Sequence, residues 1–504
     1  MAVVLLVFVA LNVMTLERLP IVAIDEVSYS DPGVNLALGN GFVSTAWYSQ
    51  GDDQVFASNA PLYPLVLAGW LKLVGFSVST VRLLNIILAA LALLAGWLAV
   101  RNLGVAKAPA LRVLFLILIS TGTGMVFAFR FGRYDTLMML LVTMSAACAS
   151  IRTPILRAAS LFLLGLCCPW AGLQLLPYLT LSGALLLVFV GNAVLSALVP
   201  LAVGASFGLA SLLTWLKLSG SWAVFRSAVM PHVGVGRSLP EVCPSWALLL
   251  AVLVVLIAVN PGLRVRPLKS PACIGVAFGL VVPFALAQLG KFPRPYFWMA
   301  YIPMAAATVG ALDRTRWSSL SWALRRSIEF LLAVCCLVGL PAYVAIVGLE
   351  WRQRDYSPVV ALVQRNVQST DVVFCDWSAY YPAKRLARQV YLPTYDVGWA
   401  PMMSWGLQGG APLPDEARRA ISLVLVRPEA AAAVIAMLGG QWVDTRDSIG
   451  NRAAARSLRL PFGRRLGSAK YDLRVFRRTG PESVSLDGAH SNVRRERERS
   501  QASS

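Results

Sequence analysis

Long apolar runs separated by short polar segments fill the first 347 residues, and the pattern changes near residue 350. The runs approach about 18 to 22 residues, the length of helix that crosses a hydrocarbon core. Eleven membrane-spanning helices are expected, over residues 1–16, 80–100, 111–129, 134–151, 157–169, 172–190, 193–213, 246–260, 271–289, 296–312 and 327–347. Only Cys168-Pro169-Trp170-Ala171-Gly172 separates the fifth from the sixth, so these two form a tight hairpin or one broken helix. Met1 leads straight into its apolar run with no basic stretch and no small-residue cleavage site, which reads as an uncleaved first span. Residues 61–75 are apolar too, but Pro61 and Pro64 open them and Lys72 interrupts them. They are expected to lie on the membrane as an interfacial helix, inside a long first loop over 17–79.

From about 350 the spans stop and short β-rich runs alternate with helical ones. Residues 371–375, 421–426 and 471–476 read as strands, and Pro382–Gln389 and Glu429–Leu438 as helices, the latter closed by Gly439-Gly440. This predicts a small α/β domain over 348–480. A tail rich in Ser, Arg and Glu, 481–504, is expected to be disordered. The fold class is thus a polytopic α-helical membrane protein with a small C-terminal α/β extracytoplasmic domain.

Composition agrees and narrows the classes. With 57% hydrophobic and 14% charged residues, the chain is no soluble globular protein, disordered chain or disulfide scaffold. Its net charge of +20 would suggest nucleic acid in a soluble protein. Here the bases have a topological reading: Arg101, Lys107 and Arg112, Arg152 and Arg157, Arg264, Arg266 and Lys269, and Arg314, Arg316, Arg325 and Arg326 all fall on one side of the expected spans. That side is the cytoplasm, and no nucleic-acid partner is expected. The first loop, the turn at Arg130–Asp135, the loop 214–245, the turn at Lys291–Tyr296 and everything after 348 then share the opposite, outer face. Six of the ten acids in residues 1–347 lie in the first loop: Glu17, Asp25, Glu26, Asp31, Asp52 and Asp53. Eight Cys without a CxxC pair and two His argue against a zinc site. No Walker motif is present, and Gly122-Thr123-Gly124 falls within a span.

Four outer-face segments carry candidate chemistry. Asp25-Glu26, with Tyr29 beyond, precedes a polar helix expected over Asp31–Gly39; the paired acids offer a general base or a cation ligand, although a solvated acidic loop would look the same. Arg130, Arg133 and Asp135 lie between the third and fourth spans, either neutralising one another or presenting an arginine to phosphate beside a second carboxylate. Lys291, Arg294 and Tyr296 form a proline-held turn that would grip phosphate or merely snorkel to the interface. His232 is a weaker candidate, because single interfacial histidines are often filler. Together the segments converge on one face with acids to activate a nucleophile and cations to stabilise a leaving phosphate.

Their order carries a resemblance. Asp-Glu-x-x-Tyr at 25–29, Ala60-Pro61-Leu62-Tyr63-Pro64, Val81-Arg82-Leu83-Leu84-Asn85 and Gly132-Arg133-Tyr134-Asp135 resemble the GT-C glycosyltransferases over roughly residues 15–310. The most similar branches are the protein O-mannosyltransferases, lipid A aminoarabinose transferases and rhizobial lipopolysaccharide glycosyltransferase-like proteins. The resemblance implies a GT-C-like membrane domain over 1–347, transferring a sugar from a polyprenyl-phosphate donor with inversion to a lipid, glycan or protein acceptor. The reaction would occur on the periplasmic face of the inner membrane. It implies Asp25 as the base, Glu26 as its support or as holder of a divalent cation, and Asp135 as the second carboxylate. Arg133, Lys291 and Tyr296 would contact the donor phosphate, with Tyr29, Arg130, Arg294 and His232 as further substrate-binding candidates. One departure is Asn59-Ala60-Pro61, where related enzymes carry Lys or His before a Pro-Pro pair; one cation near the donor is missing. A transporter or flippase of lipid-linked saccharides is the alternative. It would bury charges deep in its spans and repeat its halves, whereas almost all charges of the first 347 residues sit in loops or at span ends and no repeat is seen.

Overall fold

The computed structural model describes residues 1–47, 50, 54–130, 132–229, 242–259, 270–289, 294–393, 413–450 and 471–479. Met1–Asp355 form one compact unit, and the described residues from Tyr356 onward form a second.

The first unit is helical. Its elements are α1 (Ala2–Met14), α2 (Ile24–Leu38), α3 (Leu62–Val74), α4 (Val78–Asn102), α5 (Pro109–Thr121), α6 (Thr123–Arg130), α7 (Asp135–Cys148) and α8 (Pro154–Ala171), followed by α9 (Leu175–Val190), α10 (Leu195–Leu218), α11 (Trp222–Val229), α12 (Pro244–Val259), α13 (Pro271–Leu289), α14 (Trp298–Arg314), α15 (Trp322–Leu337) and α16 (Leu340–Leu349). Helix is found at each of the eleven expected spans. By length and apolarity alone, four of the described helices would cross a membrane, or six if each bent pair is one span.

The bent pairs are α5/α6, at 59°, and α15/α16, at 50°. Gly122-Thr123-Gly124 is the first bend. The Thr123 N–H freed there donates to Ser245 Oγ at 2.8 Å, and the Thr123 and Ser245 hydroxyls lie 2.5 Å apart. A hydroxyl thus replaces the missing helical acceptor, as an apolar surrounding requires.

Helices α8 and α10 approach backbone to backbone. A Cβ at Gly204 would lie 2.1 Å from the Phe162 carbonyl oxygen, and one at Gly208 2.3 Å from that of Leu166. Small residues permit this contact between helices in lipid, where van der Waals packing supplies most of the attraction. Gly204→Val must push the pair apart; we expect a lower thermal unfolding midpoint for the detergent-extracted protein, and an unchanged midpoint would reject the close packing.

Two local features set up the candidate residues of α2 and their surroundings. Helix α2 starts at Ile24, earlier than the polar helix expected at Asp31, so Asp25 and Glu26 occupy its first turn rather than a loop. Acids are favoured there by the unpaired N–H groups of the helix start. Asp31 is fully buried and structural: it accepts from Asn35 Nδ2 (3.2 Å), Ser44 Oγ (2.8 Å) and the Thr45 N–H (2.7 Å), fastening the returning chain to α2. Helix α3 packs against α2, and α4 against α7. Ser77 and Thr80 close a capping box at the start of α4, with N–H to hydroxyl bonds of 3.1 and 2.8 Å.

The second unit holds α17 (Ser357–Asn366), β1 (Val372–Cys375), α18 (Tyr380–Leu386), β2 (Gln389–Tyr391), α19 (Asp415–Ala420), β3 (Leu423–Val426), α20 (Pro428–Leu438), β4 (Gln441–Ile449) and β5 (Leu473–Thr479). The sheet order is β2-β1-β3-β5-β4, parallel among β2, β1 and β3 and antiparallel from β3 to β5 to β4. Phe374 pairs with Tyr391 on one side and Val424 on the other, and this face packs with Ile421, Val434, Leu438 and Phe476. The three expected strands are the sheet's centre. Gln389, expected at a helix end, belongs to β2 instead; β2 and β4 were not expected, β2 being three residues long and β4 a mostly exposed polar edge.

Candidate active site

The site is built around the turn between α6 and α7. Gly132 has φ +59°, and a Cβ on it would lie 2.9 Å from Glu26 Cγ, so both backbone conformation and space demand glycine. Its carbonyl accepts from the Tyr63 hydroxyl of α3 at 2.8 Å, and the next carbonyl, of Arg133, accepts from Asn85 Nδ2 of α4 at 3.1 Å. Two neighbouring helices therefore fix the orientation of Arg133.

Arg133 joins the two carboxylates singled out in the sequence. Its Nε donates to Asp135 Oδ2 at 2.9 Å, and its Nη1 donates to Asp25 Oδ2 in a short contact. Burial separates the partners: the side chain of Asp135 is 0% exposed, that of Arg133 6% and that of Asp25 39%. Asp25 is the one carboxylate of the cluster open to solvent. Asp135 Oδ1 and Trp298 Nε1, at the start of α14, are both buried and lie close to each other.

Aromatic rings wall the guanidinium. Tyr29 lies 5.0 Å from it, with Tyr134 and Tyr296 at 5.8 and 5.9 Å, a geometry in which ring faces attract the cation. Burial pushes the Tyr29 phenol well above its usual range, so it stays neutral. The Tyr134 and Tyr296 hydroxyls meet at 2.7 Å, and Gln174 Nε2 donates to both, at 2.9 Å to Tyr296. Gln174 sits in the break between α8 and α9, so the segment after Trp170 contributes a site residue.

Asp25, Tyr29, Arg133, Asp135 and Tyr296 are thus gathered at one place. Two other candidates are engaged elsewhere. Glu26, fully buried, takes Arg82 Nε and Nη2 on its two oxygens at 2.7 Å each, and Arg82 Nη1 also donates to the Leu16 carbonyl at 2.6 Å. With both oxygens on Arg82, Glu26 is not set to hold a divalent cation, which corrects that expectation. Arg130 donates through Nη1 to Asn12 and through Nη2 to Thr15, at 2.7–2.9 Å, and so closes the C-terminal end of α1 rather than facing substrate. His232 and Lys291 lie outside the described residues, as does the side chain of Arg294. Among the described residues no three His, Cys, Asp or Glu side chains are grouped to bind a metal.

Residues with no site role expected from the sequence are Tyr63, Arg82, Asn85, Tyr134, Gln174 and Trp298, the first four of them lying within the motifs that carry the resemblance. The signal for Arg82 and Asn85 was a cation and an amide in the first two turns of an otherwise apolar span.

No protein-family model and no curated protein matches the chain. Among solved structures, ArnT from Cupriavidus metallidurans bound to undecaprenyl phosphate matches with a TM-score of 0.62 at 12% identity, covering 96% of this chain and 99% of that one. Its apo form matches at 0.61 and 14% identity, covering 95% and 98%. The chain has the GT-C fold. The Archaeoglobus fulgidus oligosaccharyltransferase is a weaker likeness, with a TM-score of 0.47, 10% identity and coverage of 85% and 69%. Within the GT-C fold of this chain, the Asp25–Arg133–Asp135 cluster lies where the first loop meets the turn between α6 and α7.

Proposed function

We propose that the protein is a membrane glycosyltransferase that moves a sugar from a polyprenyl-phosphate donor to a lipid, glycan or protein acceptor on the periplasmic face of the inner membrane. One observation carries this reading: in a GT-C fold, a solvent-open carboxylate, Asp25, shares a nearly buried guanidinium with a fully buried one, Asp135. The binding of undecaprenyl phosphate by ArnT supports a polyprenyl phosphate as the carrier.

Asp25 then acts as general base. The acceptor oxygen forms a bond to the anomeric carbon while the bond from that carbon to the phosphate oxygen breaks. Its electron pair leaves with the polyprenyl phosphate, the acceptor proton passes to Asp25, and the anomeric centre inverts. Arg133 stabilises the charge growing on the phosphate, with Lys291 and Arg294 as further cations from their turn. Asp135 and the Tyr29, Tyr134 and Tyr296 rings hold Arg133 in orientation.

Membranes carrying the protein should transfer label from one or a few members of a panel of radiolabelled polyprenyl-phosphate sugars. Movement of an intact labelled donor across the bilayer, with no transfer from any member, would instead favour a flippase.

A further inference from the structure

We propose that Asp25 occupies, before donor binds, the edge of Arg133 that receives the donor phosphate, so that the donor itself releases Asp25 to serve as base. The inference rests on the donor reading above and concerns the order of events at the same site.

A guanidinium has five N–H donors in one plane. In Arg133, Nε is committed to Asp135 and Nη1 to Asp25, while Nη2 has no hydrogen-bond partner among the described residues. Tyr29 covers one face of the group. A phosphate therefore approaches in the plane, and the strong bidentate grip uses two adjacent donors. Nη2 belongs to both available edges. The Nε–Nη2 edge brings the phosphate onto the nitrogen held by Asp135; the Nη1–Nη2 edge brings it onto the nitrogen held by Asp25.

Burial decides between them. Asp135 is 0% exposed, and among the described residues Arg133 is the cation bonded to it, so losing Nε would strand a carboxylate in the interior. That penalty is severe. Asp25, at 39% exposure, has water to replace Arg133, and pairs of this kind are weak. The phosphate therefore takes Nη1 and Nη2, and Asp135 keeps Arg133 anchored through Nε. Displaced by one bonding position, Asp25 loses its counter-ion beside the incoming anomeric carbon. Without donor it stays paired and does not deprotonate acceptor, which makes donor binding the first productive step.

The competition has an unusual sign: removing the base should improve donor binding. Full-length protein in nanodiscs is titrated with undecaprenyl phosphate, and with undecaprenol as the uncharged control. Asp25→Asn and Asp25→Ala should each bind undecaprenyl phosphate about three- to tenfold tighter than wild type, with undecaprenol unchanged. Asp135→Asn removes a charge that is also bonded to Arg133 but leaves Asp25 in place on Nη1, and should not tighten binding. Equal or weaker binding by both Asp25 variants overturns the inference and leaves the donor reading standing. Comparable tightening by Asp135→Asn also overturns it, since a general field effect then suffices. If neither wild type nor variants distinguish undecaprenyl phosphate from undecaprenol, the donor reading falls and takes this inference with it.

Discussion

Asp25→Asn is expected to lower sugar transfer by about a thousandfold or more while the protein remains folded and inserted. General-base catalysis contributes roughly 10²- to 10⁴-fold, and an amide removes it at nearly constant volume. No neighbour can take over. Glu26 is adjacent in sequence, but both of its oxygens are held by Arg82 in the interior. Asp135 is fully buried behind Arg133. The measurement is label transfer at saturating donor, paired with thermal unfolding of the same preparation. Loss of transfer together with loss of folding would speak for a structural Asp25, and retained transfer would remove it as the base.

Arg82→Met carries the second large effect, on stability. It leaves the Glu26 carboxylate, at 0% exposure, without the cation bonded to it, and breaking a buried pair on one side costs about 3–5 kcal/mol. Arg82→Lys should recover little, because an ammonium cannot reproduce the two parallel bonds to Glu26 together with the bond to the Leu16 carbonyl. The double variant Arg82→Met with Glu26→Gln should regain much of the loss, since no charge is then stranded. Unfolding midpoints of the four proteins test this, and failure of the double variant to improve on Arg82→Met would show that the carboxylate is not the source. Transfer should fall alongside stability, because the Glu26 side chain packs against Gly132, the residue before Arg133.

The contrast between neighbours shows what the sequence could and could not reveal. Asp25, Arg133 and Asp135 were legible because charged groups at the ends of apolar spans are scarce, and two of the three lie within three residues of chain. Glu26 looked like a partner for Asp25 since the two are adjacent. Its actual partner, Arg82, is 56 positions away, and such a pairing leaves no local periodicity to read. Arg130 was misleading for a related reason: its bonds run to carbonyls and side chains of α1, acceptors that carry no charge signature. Gln174 was hidden by its neutrality. In the C-terminal unit, Val372–Cys375 and Leu423–Val426 announced themselves as apolar runs, whereas Gln441–Ile449 presents Asp, Thr, Arg and Ser to solvent along an edge. The bend at Gly122 lies inside a hydropathy window that looks continuous, and only the hydroxyls of Thr123 and Ser245 disclose it.

The hub of Tyr134, Tyr296 and Gln174 can be read as a count of hydrogens. The amide nitrogen of Gln174 gives one hydrogen to each phenol oxygen, and the contact between the phenols consumes one of their two hydrogens. The hydrogen between the phenols can come from either ring, since either oxygen can be the donor. Set beside the Arg133 guanidinium, the hub lines this wall of the site with neutral hydrogen-bonding groups, so it adds polarity to the interior without adding another charge.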